Sequence, residues 1–405
     1  MNNSPLEFLA KKYGNVVKYD NTGNIIGVFV RFYKRNSSDL VEGLPEHVHP
    51  AFVINGVVQD SILLGKYKAG DTGVSKSPLL SMPNIMPARS MGADEFLSRM
   101  KAAGPGITGM TCADYGFIKL LAQKEGWVPK GNTFWGQSHK DGTPWKVGDS
   151  YQVGVKRAYE GYLYECLIAH TAATELKPDI APKYWKKGDF IGGISQDNSK
   201  DTNYQTGYRT LNGSGPLDWY LGSDPGNLAD IIGSSLEQQY GYRIVDCELQ
   251  ILENNNAADP EADLSASSSA WKAILPNKSD DGYTLVEPGT VGTLHWNWNG
   301  SKIQLDTQCD DFDGQYRGIS FKDLTANTER LPYVPHIVKE LGLFPTGPDD
   351  KTEGYYYINF AKGERFPRRG GYCISSSNAG LGSVHSAADR GSASANYGAR
   401  PRSLN

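Results

Sequence analysis

The chain has 405 residues, 39% hydrophobic and 21% charged, with 41 basic and 45 acidic residues and a formal net charge of −4. That apolar content supports a sizeable core and is too high for disorder. The charge balance offers neither the basic footprint of a nucleic-acid binder nor a polybasic membrane patch, and no apolar run approaches the ~18 residues that cross a bilayer.

The 46 glycines and 22 prolines make 68 residues, about 17% where ~12% is usual. A loop-rich fold is expected rather than a helix bundle. The start, Met1-Asn2-Asn3-Ser4-Pro5, has no basic or apolar leader region, which predicts synthesis in a cytoplasm. Five scattered cysteines without a C-x-x-C predict free thiols.

In chain order, Asn24–Tyr33 reads as a strand, rich in β-branched and aromatic residues. Phe52–Val58 reads as a hairpin turning at Asn55-Gly56. A helix is predicted over about Ala93–Ala103. A second opens at Thr111, with Asp114 in capping-box position, and ends at Gly126. Asn254–Ser269 is a polar loop, Thr293–Leu305 a hairpin turning at Asn299-Gly300, and Tyr355–Phe360 a strand. Helices early and short strands late give an α+β class with long connections.

The segment Trp145–Trp185 looks self-contained. Strands at Tyr151–Val155 and Tyr162–His170 alternate with glycine turns, and tryptophans bracket them. With its Y-x-x-G, G-x-x-Y-x-C strand and closing Trp, it resembles the small chitin-binding-type carbohydrate modules. That resemblance implies exposed rings stacked on sugar faces, with Tyr162, Tyr164, Tyr184 and Trp185 as candidates; the alternative is that these rings form the module's own small core.

Glu46-His47-Val48-His49 would point both imidazoles to one face of a strand and could begin a metal site, but no third ligand lies near in sequence, so ordinary loop histidines are expected. No H-E-x-x-H, G-x-S-x-G or phosphate-binding glycine loop occurs. Asp310–Gly314 is acidic but lacks EF-hand spacing, and reads as a solvated turn.

The most informative stretch is Gly370–Asn405. Twenty of its 36 residues are Gly, Ala or Ser. Lys, Glu, Gln, Met and Trp total 69 of the 405 residues and are absent from this window. These are the five residues that no codon ending in a pyrimidine encodes. Punctuation interrupts the run at Arg369-Gly370-Gly371, Ala379-Gly380, Arg390 and Gly398-Ala399-Arg400-Pro401, which read as turns and anchors; the arginines would hydrogen-bond loop carbonyls through their five donors.

The order R-G-G, N-A-G, R, G-x-R-P resembles the variable proteins of diversity-generating retroelements, in which a reverse transcriptase rewrites adenines in the C-terminal coding repeat. Gly104–Met110 with the helix after it, Thr210–Tyr220 and Ala229–Ile251 resemble the same branch. The resemblance implies a C-type-lectin fold, formylglycine-generating-enzyme-like, over 41–142 and 188–405, with the carbohydrate-module-like piece inserted at 143–187 and the variable region at 370–405. Residues 1–40 would serve attachment or oligomerisation.

It also implies a phage tail-tip receptor-binding protein that meets a host cell-surface receptor, protein or glycan, alongside other tail proteins, as a homo-oligomer, of which a trimer is the form that suits tail fibres. It implies virion localisation, no nucleic acid, no membrane insertion and no cofactor. Carried over by position, the variable contacts are Tyr372, Ile374, Ser375, Gly382, His385, Ala387, Ala388 and Asp389, with Ser392, Ser394 and Asn396 as further ones.

The chain departs from the family at Gly233–Gln238, where the N-x-W-E-W tryptophans are missing. It also lacks the paired cysteines of formylglycine-generating enzymes, holding only Cys373 in the tail, and the three-histidine iron motif of related synthases. This argues against an oxidase. A bacterial surface-displayed variable protein is the other reading, and it would normally carry an export or lipid signal.

Overall fold

The computed structural model describes residues 4–194 and 209–405. It is 30% strand and 16% helix, a mixed, strand-rich α+β arrangement.

The apolar run Ile25–Tyr33 forms a strand buried along most of its length. It pairs antiparallel with Val16–Tyr19 on one side and Ser61–Gly65 on the other. Pro401–Ser403 then inserts between Ser61–Gly65 and Ile107–Gly109. Residues 16–33 are thus built into the same sheet as the tail. The expected boundary at residue 41 does not divide this sheet, because a strand apolar on both faces has to be covered on both faces.

Helix Cys112–Glu125 starts and stops where its signals place it. Thr111 and Asp114 form the capping box, and Gly126 takes the left-handed conformation at φ 69°. Helix Ala93–Lys101 follows the same reading. The Asn55-Gly56 turn has both residues at positive φ, 51° and 76°, as the tight hairpin demands. Among the described residues, helices Pro5–Lys12, capped reciprocally by Ser4 and Glu7, and the short Ser37–Leu40 and His336–Glu340 were not anticipated. The acidic stretch near 310 is a set of ion pairs, Asp313 with Arg317 and Asp310 with Arg330.

Two further sheets complete the main body. One orders Tyr316–Ser320, Tyr355–Asn359, Val384–Ser386, Arg368–Arg369, Leu236–Gln238 and Tyr397–Gly398. The other carries the predicted hairpin His295–Trp298/Ile303–Asp306 beside Glu248–Leu252 and Trp271–Pro276.

Residues 145–185 pack around their own cluster of Tyr151, Tyr164, Cys166 and Trp185. The expected strand over Tyr151–Val155 is mostly turn, with strands at Ser150–Tyr151 and Lys156–Tyr159 on either side. The closing strand Trp185–Phe190 runs past residue 187.

The tail enters two of these sheets at three places, and buried arginines hold it there. Arg369 donates to the carbonyls of Leu341, Gly342, Leu381 and Ser383. Arg390 bonds Glu364 through two nitrogens, and also Asp94 and the Leu264 carbonyl. Arg400 reaches the carbonyls of Gly65, Lys66 and Ala229, and Glu237 at 2.8 and 3.0 Å. Glu237 also takes the Lys68 ammonium at 2.6 Å, and all three side chains of this group are fully buried. Burial alone would raise the Glu237 carboxyl, but Arg400 and Lys68 outweigh it and hold it low.

Removing the shared anion leaves two uncompensated buried cations. Glu237→Gln is expected to cost about 3–5 kcal/mol of unfolding free energy in urea. Lys34→Ala, which breaks the exposed pair with Asp60, should cost ~0–1 kcal/mol.

Candidate functional site

Between its sheet insertions the tail makes two loops, 371–383 and 387–396. The first forms one wall of a cleft of about 300 Å³, lined by Leu236, Tyr355, Tyr357, Tyr372, Ile374, Ser375, Asn378, Ser383, Val384 and His385.

Local geometry explains the wall. Gly370 and Gly371 sit at φ 88° and 81°. A Cβ on the first would meet the Ile231 carbonyl at 2.7 Å, and one on the second would meet the Ala379 side chain at 2.6 Å. The chain then turns on a reciprocal pair, Tyr372 N–H to Ser375 Oγ and Ser375 N–H to the Tyr372 carbonyl, both 2.9 Å. It is tied to the preceding domain by Trp135 N–H to the Cys373 carbonyl and Ser376 N–H to the Thr133 carbonyl.

The floor is the strand Val384–Ser386 paired with Tyr355–Asn359. Val384 and Ser386 face inward and are fully buried, so His385 points to the other side. Its ring lies 5.4 Å from Tyr357 and 6.2 Å from Tyr397, and Tyr357 stacks on the exposed Tyr316 at 5.9 Å and 15°. Burial, with Arg368 nearby, lowers the His385 pKa to about 4, so the ring is neutral at pH 7. Its Nδ1 is enclosed and has no hydrogen-bond partner among the described residues.

The fold brings Tyr372, Ile374, Ser375 and His385 together. Ala388, Asp389, Ser392, Ser394 and Asn396 lie on the second loop and do not line this cleft. Asp389 is exposed there, and its carboxylate caps the Ser392 N–H. Two expected contacts are corrected. Gly382 is buried, with the Phe321 ring 2.7 Å from where its Cβ would stand, and Ala387 is buried beside the sheet. Neither offers a side chain to a ligand, because the strand Val384–Ser386 draws its flanks inside.

In the insertion, Tyr164 and Trp185 are buried in its core, which corrects their reading as stacking rings. A module this small fills its centre with its aromatic rings, and Tyr151 joins these two there. Tyr162 and Tyr184 remain half-exposed. Tyr162 has the Lys187 ammonium 3.5 Å over its ring and Phe190 at 5.1 Å.

A second aromatic cleft, of about 350 Å³, was not anticipated. It lies where the insertion meets the main body, lined by Phe134, Trp135 and Gln137 on one side and Pro144, Trp145, Lys146, Ala158, Tyr159 and Glu160 on the other. The available signal was the aromatic pair in Gly131-Asn132-Thr133-Phe134-Trp135-Gly136 next to the bracketing Trp145. Trp135 joins the two clefts: its ring lines this one, and its backbone holds the loop that walls the first.

Neither cleft presents an activated thiol. Burial pushes Cys373 up to about 11 despite Arg209, so it stays protonated. Cys247 and Cys309 line neither cleft.

No protein-family model matches the chain, and no curated protein matches it significantly.

Two outcomes follow from this geometry. Gly382→Ala must displace Phe321 and should lower stability by ~1–3 kcal/mol, whereas Ala393→Thr on the exposed second loop should stay within about 0.5 kcal/mol, both read by urea denaturation. For His385, the unfolded chain takes up a proton near pH 6.5 and the folded chain only near 4. Its contribution is therefore complete above 6.5 and is lost as pH falls toward 4. An NMR titration should place its midpoint near 4, and His385→Gln should remove its share of the acid-side slope.

Proposed function

We propose that this chain is a phage tail receptor-binding protein on a C-type-lectin fold of the formylglycine-generating-enzyme-like branch, with its C-terminal surface diversified by a retroelement. One observation carries the reading. Seven residues of the stretch that lacks Lys, Glu, Gln, Met and Trp, the expected contacts Tyr372, Ile374, Ser375 and His385 among them, converge on a single cleft, while the arginines that anchor the stretch are buried away from it.

Two clefts support a division of labour. The tail cleft takes seven of its lining residues from the stretch that pyrimidine-ended codons would interchange and three, Leu236, Tyr355 and Tyr357, from outside it. The junction cleft contains Trp135, Trp145, Lys146 and Glu160, residue types such codons cannot encode, so it would stay constant under diversification. Its two tryptophans, with Phe134 and Tyr159, suit the flat C–H faces of a cell-surface sugar. Small residues dominate the tail, so each contact is weak, and useful adhesion calls for several copies on one tail tip, in a homo-oligomer held by other tail proteins.

The genome around the gene tests the reading. A near-copy of the coding stretch for residues 370–405, differing only where the copy has adenines and lying beside a reverse-transcriptase gene, is expected; its absence would remove the diversification claim. At the protein level, Tyr372→Ala should weaken adsorption of purified protein to susceptible bacterial cells about tenfold or more, with an unchanged circular dichroism spectrum.

A further inference from the structure

His47 and His336 are 289 positions apart in sequence, yet both reach one carboxylate. His47 Nε2 lies 2.6 Å from one Glu340 oxygen, and His336 Nδ1 lies 2.9 Å from the other. One ligand atom from each residue lies within 4.8 Å of the other two. The two imidazoles sit edge to face, 5.2 Å apart. We propose that His47, His336 and Glu340 form a zinc site with one open coordination position.

The arrangement rests on two elements. His336 and Glu340 occupy i and i+4 of one helix and so share a face. His47 comes from the loop before Pro50. The carboxylate is fixed from behind. Ser37 Oγ donates to the oxygen that His47 meets, His49 Nε2 lies 3.1 Å from the Glu340 carbonyl, and Gly116 leaves room for that carbonyl where a Cβ would stand 2.1 Å away. The Tyr283 ring packs 5.2 Å from His336, and the His336 N–H is held by the Asp281 carbonyl. Such outer contacts orient ligands in metal sites.

Two imidazoles and a carboxylate are the donor set of open zinc centres, where a water takes the fourth place. Imidazole donors disfavour calcium and magnesium, which take oxygen. Zinc with nitrogen ligands at about 2.0–2.1 Å would separate tetrahedral donors by about 3.3 Å, so the two imidazole–carboxylate contacts need to open by well under 1 Å, and the donor atoms, now within 4.8 Å of one another, need to close by at most about 1.5 Å. The half-exposed His47 side chain can make that adjustment. The open position would face a groove of about 660 Å³ that also takes in Glu253, Asn254, Lys272 and Tyr283. This site shares no residue with either aromatic cleft, so it stands or falls apart from the receptor-binding proposal.

Full-length protein is stripped with chelator, loaded with zinc chloride and gel-filtered, and its metal is counted by mass spectrometry. One zinc per chain is expected, and cobalt in its place should give the visible absorption of a tetrahedral ion without thiolate charge transfer. His47→Asn and His336→Asn should each weaken zinc binding at least ~100-fold, more than loss of an outer partner usually does. Both variants keep Glu340, and circular dichroism checks that they fold. Zinc retained equally by the His47→Asn/His336→Asn double variant, or a folded wild-type chain that holds none, would overturn the site and leave an ion-paired cluster only.

Discussion

A buried guanidinium has five N–H donors and no acceptor, so enclosing one calls for oxygen acceptors from main-chain carbonyls or carboxylates around it. Arg209, Arg368, Arg369, Arg400 and Arg402 are among the largest fully enclosed side chains of this protein, and four of them lie in or directly before the C-terminal stretch. Most of the Arg369 and Arg400 partners are main-chain carbonyls. A carbonyl is present whatever side chain its residue carries. The anchors therefore fix the path of the tail without reading the identity of the loop residues between them, and those residues can change at small cost to folding.

The same logic decides which tail positions can vary. Where the chain enters a sheet, alternate side chains are forced inward. Val384 and Ser386 are enclosed while His385 faces the cleft. Where it leaves the sheet, a turn stabilised by backbone and hydroxyl contacts at Tyr372–Ser375 brings Tyr372, Ile374 and Ser375 to the cleft and buries Cys373. Gly382 and Ala387 sit at the transitions, where there is no room for more than they have.

Much of the fold was legible. Ile25–Tyr33, the Asn55-Gly56 and Asn299-Gly300 hairpins and the capped helix Cys112–Glu125 all rest on local signals: strand propensity, turn residues that tolerate positive φ, and a reciprocal cap. The helix Pro5–Lys12 carried the same kind of signal in Ser4 and Glu7. The structural role of Arg369, Arg390 and Arg400 could also be read, because isolated arginines among small residues have few other uses. Tyr164 and Trp185 could not be told from stacking rings. An aromatic residue suits both a core and a sugar face, and only its position relative to the other rings decides.

By itself the sequence determined the α+β class, the local turns and caps, and the unusual composition of the tail, since each depends on residues near one another in the chain. Tertiary structure alone decided which distant groups meet. It brought Trp135 under the tail loop, joined Phe134 to Trp145 across the insertion boundary, and set His336 and Glu340 against His47. The reason is physical: a cleft or a ligand cluster is a property of distances between separate elements, and those distances follow from how buried faces pack and buried charges are satisfied, which no local pattern of residues records.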